Sequence, residues 1–201
     1  MYLVSGVVQM SKVVYIVLTE TGSLLSRAIQ LYTQENFNHI SISFDKELRE
    51  MYSFGRKREN NPFIGGFVHE NPSSKLLKSA SCAVYECPVT EEQYHLLKEH
   101  VQHYKMHKNI YKYNFIGLFG VACRMKVKRP NAFFCSQFIA TLFQYVGLSL
   151  CGKCPYFMKP TDFTKLPYLQ LRYTGTIEEY LQIFRTKPIQ KMPVSSVQYI
   201  A

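Results

Sequence analysis

The chain has 201 residues, of which 47% are hydrophobic and 19% charged, a composition that predicts one folded domain. Its 15 tyrosines and 14 phenylalanines exclude a disordered chain, and its 10 glycines and 9 prolines exclude a collagen-like one. The longest apolar run, residues 13–18, is far shorter than the roughly 20 residues of a membrane-spanning helix, so no transmembrane segment is predicted.

Charge is distributed unevenly along the chain. Residues 1–100 carry 10 basic and 11 acidic side chains, whereas residues 101–201 carry 14 and 3. The basic half contains a cluster formed by Arg124, Lys126, Lys128 and Arg129. Such a surface either attracts an anionic partner or keeps the protein in solution. Without a helix-turn-helix, zinc-finger or RNP signature, no nucleic-acid partner is expected.

The beginning of the chain shows no targeting pattern. No basic region precedes the first apolar stretch, so no secretory signal is predicted. The six cysteines are therefore expected to be reduced, in a cytoplasmic protein. Residues 1–9 are interpreted as an upstream start or a frayed extension, and residues 10–201 as a single domain. The oligomeric state is not predicted.

The first half of the chain predicts strands with one helix. A β-branched run over 13–18 predicts a buried strand, and a helix is predicted from residue 21 to about Thr33. Alternation over 39–44 predicts a strand with an apolar face and a second face formed by His39, Ser41 and Ser43. Residues 51–55 return as its hairpin partner, and 56–66 are predicted to be a charged loop.

Two capping boxes mark later helices. Thr90 and Gln93 open a helix to about His107, after a strand predicted over 82–87. This helix carries four histidines, but without a matching carboxylate or cysteine no metal site is expected. Thr176 and Glu179 open a last helix to about Phe184, and the remaining tail is predicted to be irregular.

The segment with the most chemistry is 131–147. Apolar residues recur at helical spacing from Phe138 to Val146, and Gly147 is a typical stop signal. Cys135 therefore lies in the first turn of a buried helix. There the unpaired N–H groups and the helix dipole stabilise a thiolate and can bind an oxyanion. A histidine on a rigid sheet, such as His39, is the base that such a thiol needs.

These segments resemble the circularly permuted NlpC/P60 group, which includes the YiiX/YaeF-like papain-fold enzymes and is distantly related to lecithin:retinol acyltransferase-like proteins. The matching pieces are residues 14–18, 21–29, 38–42 and 134–138, within a similarity that spans about 13–147. As in that group, the histidine precedes the cysteine. The resemblance implies an α+β, papain-like fold of the permuted type, with an antiparallel sheet packed against helices. It also implies Cys135 as nucleophile, His39 as base and a third polar residue that orients the histidine.

The third residue is expected on the strand after His39. Strand alternation favours Ser53 for that position, with Glu50, Tyr52 and Glu70 as alternatives. Tyr52 and Glu70 are also assigned to substrate binding. So are Tyr113 and Asn114, which resemble a recurring segment of the group and are otherwise a turn before a core helix.

A pair of cysteines follows the predicted Cys135 helix. Cys151 and Cys154 have the spacing of half a zinc motif or of a redox motif. No second pair completes a zinc site, so they are interpreted as loop thiols, with a redox or metal role as the alternative.

These observations predict a thiol hydrolase without cofactor or metal. It would cleave an amide or isopeptide bond of a small, peptide-like substrate through a thioester. One alternative is an acyltransferase or lipid acyl hydrolase with an acylated substrate. Another is a non-catalytic binding module that uses the basic half of the chain to bind an anionic surface.

Overall fold

The computed structural model describes residues 11–21, 37–58, 61–122, 125–127 and 129–185. Residues 1–9, most of the helix predicted at 21–33 and the tail after 185 lie outside these ranges. The described strands are β1 (Lys12–Glu20), β2 (His39–Ser43), β3 (Met51–Arg58), β4 (Asn61–His69), β5 (Ser81–Val89), β6 (Lys112–Tyr113), β7 (Ala132–Phe133) and β8 (Gln170–Thr176). The described helices are α1 (Lys75–Lys78), α2 (Glu91–Met106), α3 (Phe115–Ala122), α4 (Cys135–Tyr145) and α5 (Ile177–Arg185), with 3₁₀ turns at Pro155–Phe157 and Pro160–Lys165.

Six strands form one antiparallel sheet in the order β4-β3-β2-β1-β5-β8. Strand β1 is central, and Val14, Ile16 and Leu18 are fully buried on one of its faces. The predicted hairpin of β2 and β3 is confirmed, with Ile42 opposite Tyr52. The chain is therefore an α+β protein with an antiparallel sheet packed against helices, as expected at this level of description.

The predicted loop over 56–66 is wrong. Strand β3 continues to Arg58, and β4 pairs with it antiparallel from Asn61 onward. The two glycines that suggested a turn lie within β4 because other chain segments approach them closely. A Cβ on Gly65 would lie 2.7 Å from the Tyr113 Cβ, and one on Gly66 would lie 2.5 Å from the Tyr111 carbonyl oxygen. Strand β8 was also missed.

The main core lies between the sheet and α4. Phe138 and Phe143 of this helix are fully buried, and Phe54 of β3 lies 5.1 Å from Phe138 between ring centroids. Phe67 of β4 packs edge-on against the same ring at 5.8 Å. Burial of each such side chain contributes roughly 1.5–3 kcal/mol, so these contacts anchor α4, and with it Cys135, to the sheet.

The predicted helix signals are confirmed. Thr90 and Gln93 form the reciprocal capping box of α2, and Glu179 and Thr176 do the same at α5. Gly147 follows the end of α4 with a φ of 75°, in the left-handed region that favours glycine.

The opposite face of the sheet has a smaller core. Val17, Met51 and Val84 of the sheet pack there with Ile177 and Tyr180 of α5. Among the described helices, none is both long and apolar enough to span a membrane. Two members of the basic cluster, Lys126 and Arg129, are exposed, and the other two lie outside the described residues.

Replacement of Gly66 by alanine tests the close approach to β4. We expect Gly66→Ala to lower the free energy of unfolding by about 1–3 kcal/mol, because its Cβ would meet a backbone oxygen. Gly55→Ala is the matched control, since its nearest neighbour is a Ser53 side-chain oxygen at 3.3 Å. Urea unfolding of both variants measures the difference, and equal losses would contradict this packing.

Candidate active site

His39 begins β2, where its ring faces the carboxylate of Glu70. Its Nε2 lies 2.7 Å from Oε1 of Glu70, the residue directly after β4. The side chains of His39 and Glu70 are only 14% and 9% exposed. Glu70 is fixed at this point because its backbone N–H donates to the Met51 carbonyl at 2.8 Å. The pair is therefore a largely buried hydrogen-bonded ion pair.

Two fully buried serines complete the surroundings of the Glu70 carboxylate. Ser53 donates from Oγ to Oε1 at 2.5 Å, and Ser41 donates from Oγ to Oε2 at 2.7 Å. Burial opposes ionisation of Glu70, but the positive charge of His39 and the three hydrogen bonds outweigh it and lower the pKa of this carboxyl. Both carboxylate oxygens are thus occupied, as a buried charge requires.

The same interactions hold the proton on His39. Burial of the ring works against the charged form, but the Glu70 charge and hydrogen bonds to Cys135 and Glu70 raise the pKa of His39 to about 10. The ring is therefore an imidazolium at neutral pH. It lies between a carboxylate and a thiol and contacts both.

Cys135 is the first residue of α4 and is almost fully buried. Its side chain is hydrogen-bonded to His39. Phe134 precedes it as N-cap and offers no side-chain hydrogen bond, so no side chain of the cap residue occupies the first-turn N–H groups. The positive end of the helix and the imidazolium of His39 both favour a negative sulfur at this position.

Tyr113 approaches the same sulfur from the side. The short parallel pairing of β6 and β7 places Tyr113 opposite Phe133, two residues before Cys135. Its hydroxyl is hydrogen-bonded to the side chain and to the backbone of Cys135, and burial together with the Cys135 charge raises the pKa of Tyr113. The tyrosine hydroxyl therefore helps to fix the position of Cys135.

The start of α4 is also held by a hydrogen bond to the segment around the 3₁₀ turn at Pro155–Phe157. Ser136 donates from Oγ to the Met158 carbonyl at 2.6 Å. Tyr156, two residues earlier, donates from its hydroxyl to the Gly117 carbonyl at 3.1 Å and accepts from the Val127 N–H at 2.9 Å. The 3₁₀ turn at Pro155–Phe157 thus connects α3, the segment 125–127 and the helix that carries the thiol.

The structure brings Cys135, His39, Glu70 and Tyr113 together. Ser53 lies on the predicted face, but it binds the carboxylate and not the ring, so Glu70 takes the orienting position for which Ser53 was favoured. Glu50 forms an ion pair with Lys98 at 2.9 Å instead. Glu70, assigned to substrate binding as well, is fully engaged by the histidine and the serines.

Two residues assigned to substrate binding have structural contacts instead. Tyr52 is buried on the opposite face of β3, where its ring stacks on those of Phe67 and His69. Asn114 is also buried, and its Oδ1 accepts from the Gly117 N–H at 2.9 Å at the start of α3. Both contacts fit the core and turn roles that these residue types often have.

Glu70 was the residue that sequence reasoning placed least well. The available signal was the pair of strand-forming residues Phe67 and Val68 shortly before it. Because β4 was read as a loop with a turn at its glycines, the position of Glu70 beside Ser53 was not deduced.

Within the described residues, no group of three or more histidine, cysteine, aspartate or glutamate side chains could hold a metal ion.

Comparison of the chain with protein-family models finds no matching family, and comparison with curated proteins finds no match. The geometry of the site therefore carries the functional argument.

Replacement of Glu70 by glutamine tests the ion pair through its pH dependence. Because the pKa of folded His39 lies above the ordinary 6.5, its contribution is complete below pH 6.5 and is lost as the pH rises towards 10. Because the pKa of Glu70 lies below the ordinary 4.5, its contribution is complete above pH 4.5 and is lost at lower pH. We expect Glu70→Gln to lower the free energy of unfolding by about 3 kcal/mol. The loss should be largest between pH 4.5 and pH 6.5, where both groups contribute fully.

Urea unfolding of both proteins across the pH range measures this loss. Ser53→Ala is the milder control, since it removes one hydrogen bond of about 1 kcal/mol and leaves the ion pair in place. A loss that is independent of pH, or a His39 ring that titrates near 6.5 by NMR in the unaltered protein, would contradict the ion pair.

Proposed function

We propose that the chain is a thiol hydrolase that cleaves an amide or isopeptide bond of a small, peptide-like substrate through a thioester on Cys135. One observation carries this proposal. The thiol at the start of a buried helix is hydrogen-bonded to an imidazole that a buried carboxylate holds on its other side. A nucleophile, a proton carrier and an orienting group in this order form the arrangement used by Cys–His enzymes.

We also propose that the fold is papain-like and of the permuted NlpC/P60 type. An antiparallel sheet that presents the histidine, packed against a helix that begins at the cysteine, supports this assignment. The order of the two residues along the chain supports it as well, because His39 precedes Cys135.

In the proposed reaction, Cys135 attacks as a thiolate beside the protonated ring of His39. The ring Nε2 is hydrogen-bonded to Glu70. Nδ1 is therefore the nitrogen that would exchange a proton with the Cys135 sulfur. Glu70 sets the orientation of the ring and stabilises its positive charge. Tyr113 and the hydrogen bond from the Ser136 hydroxyl to the Met158 carbonyl hold the sulfur at the helix start.

Acylation begins when the Cys135 thiolate attacks the carbonyl carbon of the scissile bond. The oxyanion that forms is stabilised by N–H groups of the first turn of α4. His39 then transfers its proton to the leaving nitrogen, the carbon–nitrogen bond breaks, and an amine and a Cys135 thioester result. Although burial lowers it, the Glu70 charge helps to raise the pKa of His39 above its ordinary value, so the ring holds a proton that it can donate.

Deacylation regenerates the enzyme. Neutral His39 removes a proton from water, the resulting hydroxide attacks the thioester carbonyl, and the carboxylic acid leaves as the thiolate is restored. The exposed fractions of 3% for Cys135 and 14% for the His39 side chain favour a slender substrate.

A substrate panel tests this function directly. We expect release of free amine from short peptides with amide or isopeptide bonds, loss of turnover in Cys135→Ala, and a fall of at least about 10³-fold in His39→Ala. Mass spectrometry of quenched reactions detects the thioester on Cys135. Lys165→Met is an exposed control that leaves turnover unchanged.

Other outcomes of the panel are equally informative. Transfer of the acyl group to an added amine in preference to water indicates an acyltransferase, and cleavage of fatty-acyl esters alone indicates a lipid hydrolase. Either result would contradict cleavage of an amide or isopeptide bond, but Cys135 would remain the proposed nucleophile. Absence of any thioester across the panel favours a non-catalytic module.

Selective alkylation tests activation of the thiol independently of substrate. At mildly acidic pH, iodoacetamide is expected to modify Cys135 before the other cysteines, because the protonated His39 ring and the start of α4 stabilise negative charge on the attacking sulfur. Glu70→Gln should slow this reaction about tenfold, since it weakens the charge on His39. Peptide mass mapping over time measures both rates. Equal labelling of all cysteines would argue against an activated nucleophile.

A further inference from the structure

The loop after α4 presents two free, exposed cysteines. Cys151 and Cys154 flank Gly152 and Lys153. The Lys153 N–H donates to the Leu150 carbonyl at 3.1 Å, which closes a tight turn over Cys151 and Gly152. Both of these residues have positive φ, 51° and 79°, the combination of a type I′ turn.

The turn places Cys151 in a conformation that its side chain disfavours. A residue with a Cβ pays roughly 1–2 kcal/mol in the left-handed region, where asparagine or glycine is usual. A cysteine at this exposed position contributes nothing to a core that would offset this cost. Backbone strain at a reactive side chain is a pointer to function.

A lysine lies beside the second thiol. Lys126 Nζ is 3.8 Å from Cys154 Sγ, and it also lies 6.0 Å from the centre of the Tyr156 ring. The neighbouring Lys153 is instead paired with Asp162 at 2.5 Å. A cation at this distance attracts the negative charge that the attacking sulfur carries in disulfide exchange.

The approach of Lys126 to Cys154 follows from the fold. The Val127 N–H donates to the Tyr156 hydroxyl at 2.9 Å, and that hydroxyl also lies 3.2 Å from the Val127 carbonyl oxygen. The residues after Lys126 and after Cys154 are thereby tied together by one buried tyrosine. The Tyr156 side-chain hydroxyl, through its contacts with the main chain of Val127, thus holds the cation and the thiol as neighbours.

The other described thiols are all buried. Cys82 and Cys87 are buried, and burial raises the pKa of each thiol to about 12. Cys135 is buried in the candidate active site. Within the described part of the chain, exposure, a cation beside one thiol and a second thiol three positions away occur together only at the Cys151–Cys154 pair.

We propose that Cys151 and Cys154 form a thiol–disulfide exchange site that reacts with low-molecular-weight disulfides. The Cys154 thiolate attacks one sulfur of the small disulfide, forms a mixed disulfide and releases one thiolate. Cys151, after loss of its proton, attacks the Cys154 sulfur, closes the Cys151–Cys154 disulfide and releases the second thiolate. The two protein thiols are oxidised, the small disulfide is reduced to two thiols, and the two protons pass to the released thiolates.

The full chain carrying Cys135→Ala is treated with glutathione disulfide near neutral pH and low salt. We expect the peptide that contains both cysteines to lose two hydrogens without a glutathione adduct, and dithiothreitol to restore it. In Cys151→Ser the mixed disulfide should accumulate on Cys154. In Cys154→Ser, Cys151 should react much more slowly. Peptide mass mapping measures each species. Because Cys135 is replaced by alanine, the result does not depend on the proposed function.

The role of Lys126 is tested by charge. Lys126→Met should slow formation of the mixed disulfide about fivefold, whereas Lys126→Arg should restore most of the rate and Lys165→Met should leave it unchanged. Equal rates at both cysteines, a stable adduct on Cys154 with Cys151 present, or disulfides between two chains would overturn the proposal. So would retention of zinc by the reduced pair after desalting.

Discussion

The burial of the Glu70 carboxylate is the constraint on which the arrangement of the sheet depends. An ionised carboxylate out of water costs several kcal/mol unless it is paired and fully hydrogen-bonded. Its three partners come from two strands, His39 and Ser41 from β2 and Ser53 from β3, and Glu70 itself follows β4. A slip of one residue in β3 would turn Ser53 away and present Phe54 to the charge. The electrostatics of the site therefore select the register that also buries the aromatic core.

One face of the sheet positions the helix that carries Cys135. Phe54 and Phe67 on this face pack against α4, which fixes the direction of the helix and the depth at which its first residue lies. Contacts from residues outside the sheet then fix the position of the Cys135 thiol. Tyr113 holds Cys135 from the side, and Ser136 ties the next residue to the Met158 carbonyl. The sulfur is placed by packing and hydrogen bonds that do not require a substrate, which is the preorganisation that a nucleophile needs.

The parts of the site that could be predicted from sequence are those with a local signal. His39 stands out because its strand alternates, and Cys135 because apolar residues at helical spacing follow it and Gly147 ends the helix. Alternation also placed Ser53 on the correct face. The role of Glu70 depends on a long-range fact, that β4 pairs with β3, and the glycines and proline of β4 concealed this strand. Those glycines are required by contacts with Tyr111 and Tyr113 that no local pattern reveals.

The two thiol environments differ in how their charges are screened. The pair formed by Cys135 and His39 is buried, so its attraction acts in a medium of low dielectric constant and is little affected by salt. Lys126 and Cys154 are exposed, and at physiological ionic strength the screening length of about 8 Å already weakens interactions between such groups. The attraction within the buried pair is accordingly insensitive to the ionic strength of the solution. The attraction within the exposed pair weakens as the ionic strength rises, and its sulfur is open to small disulfides from the solution.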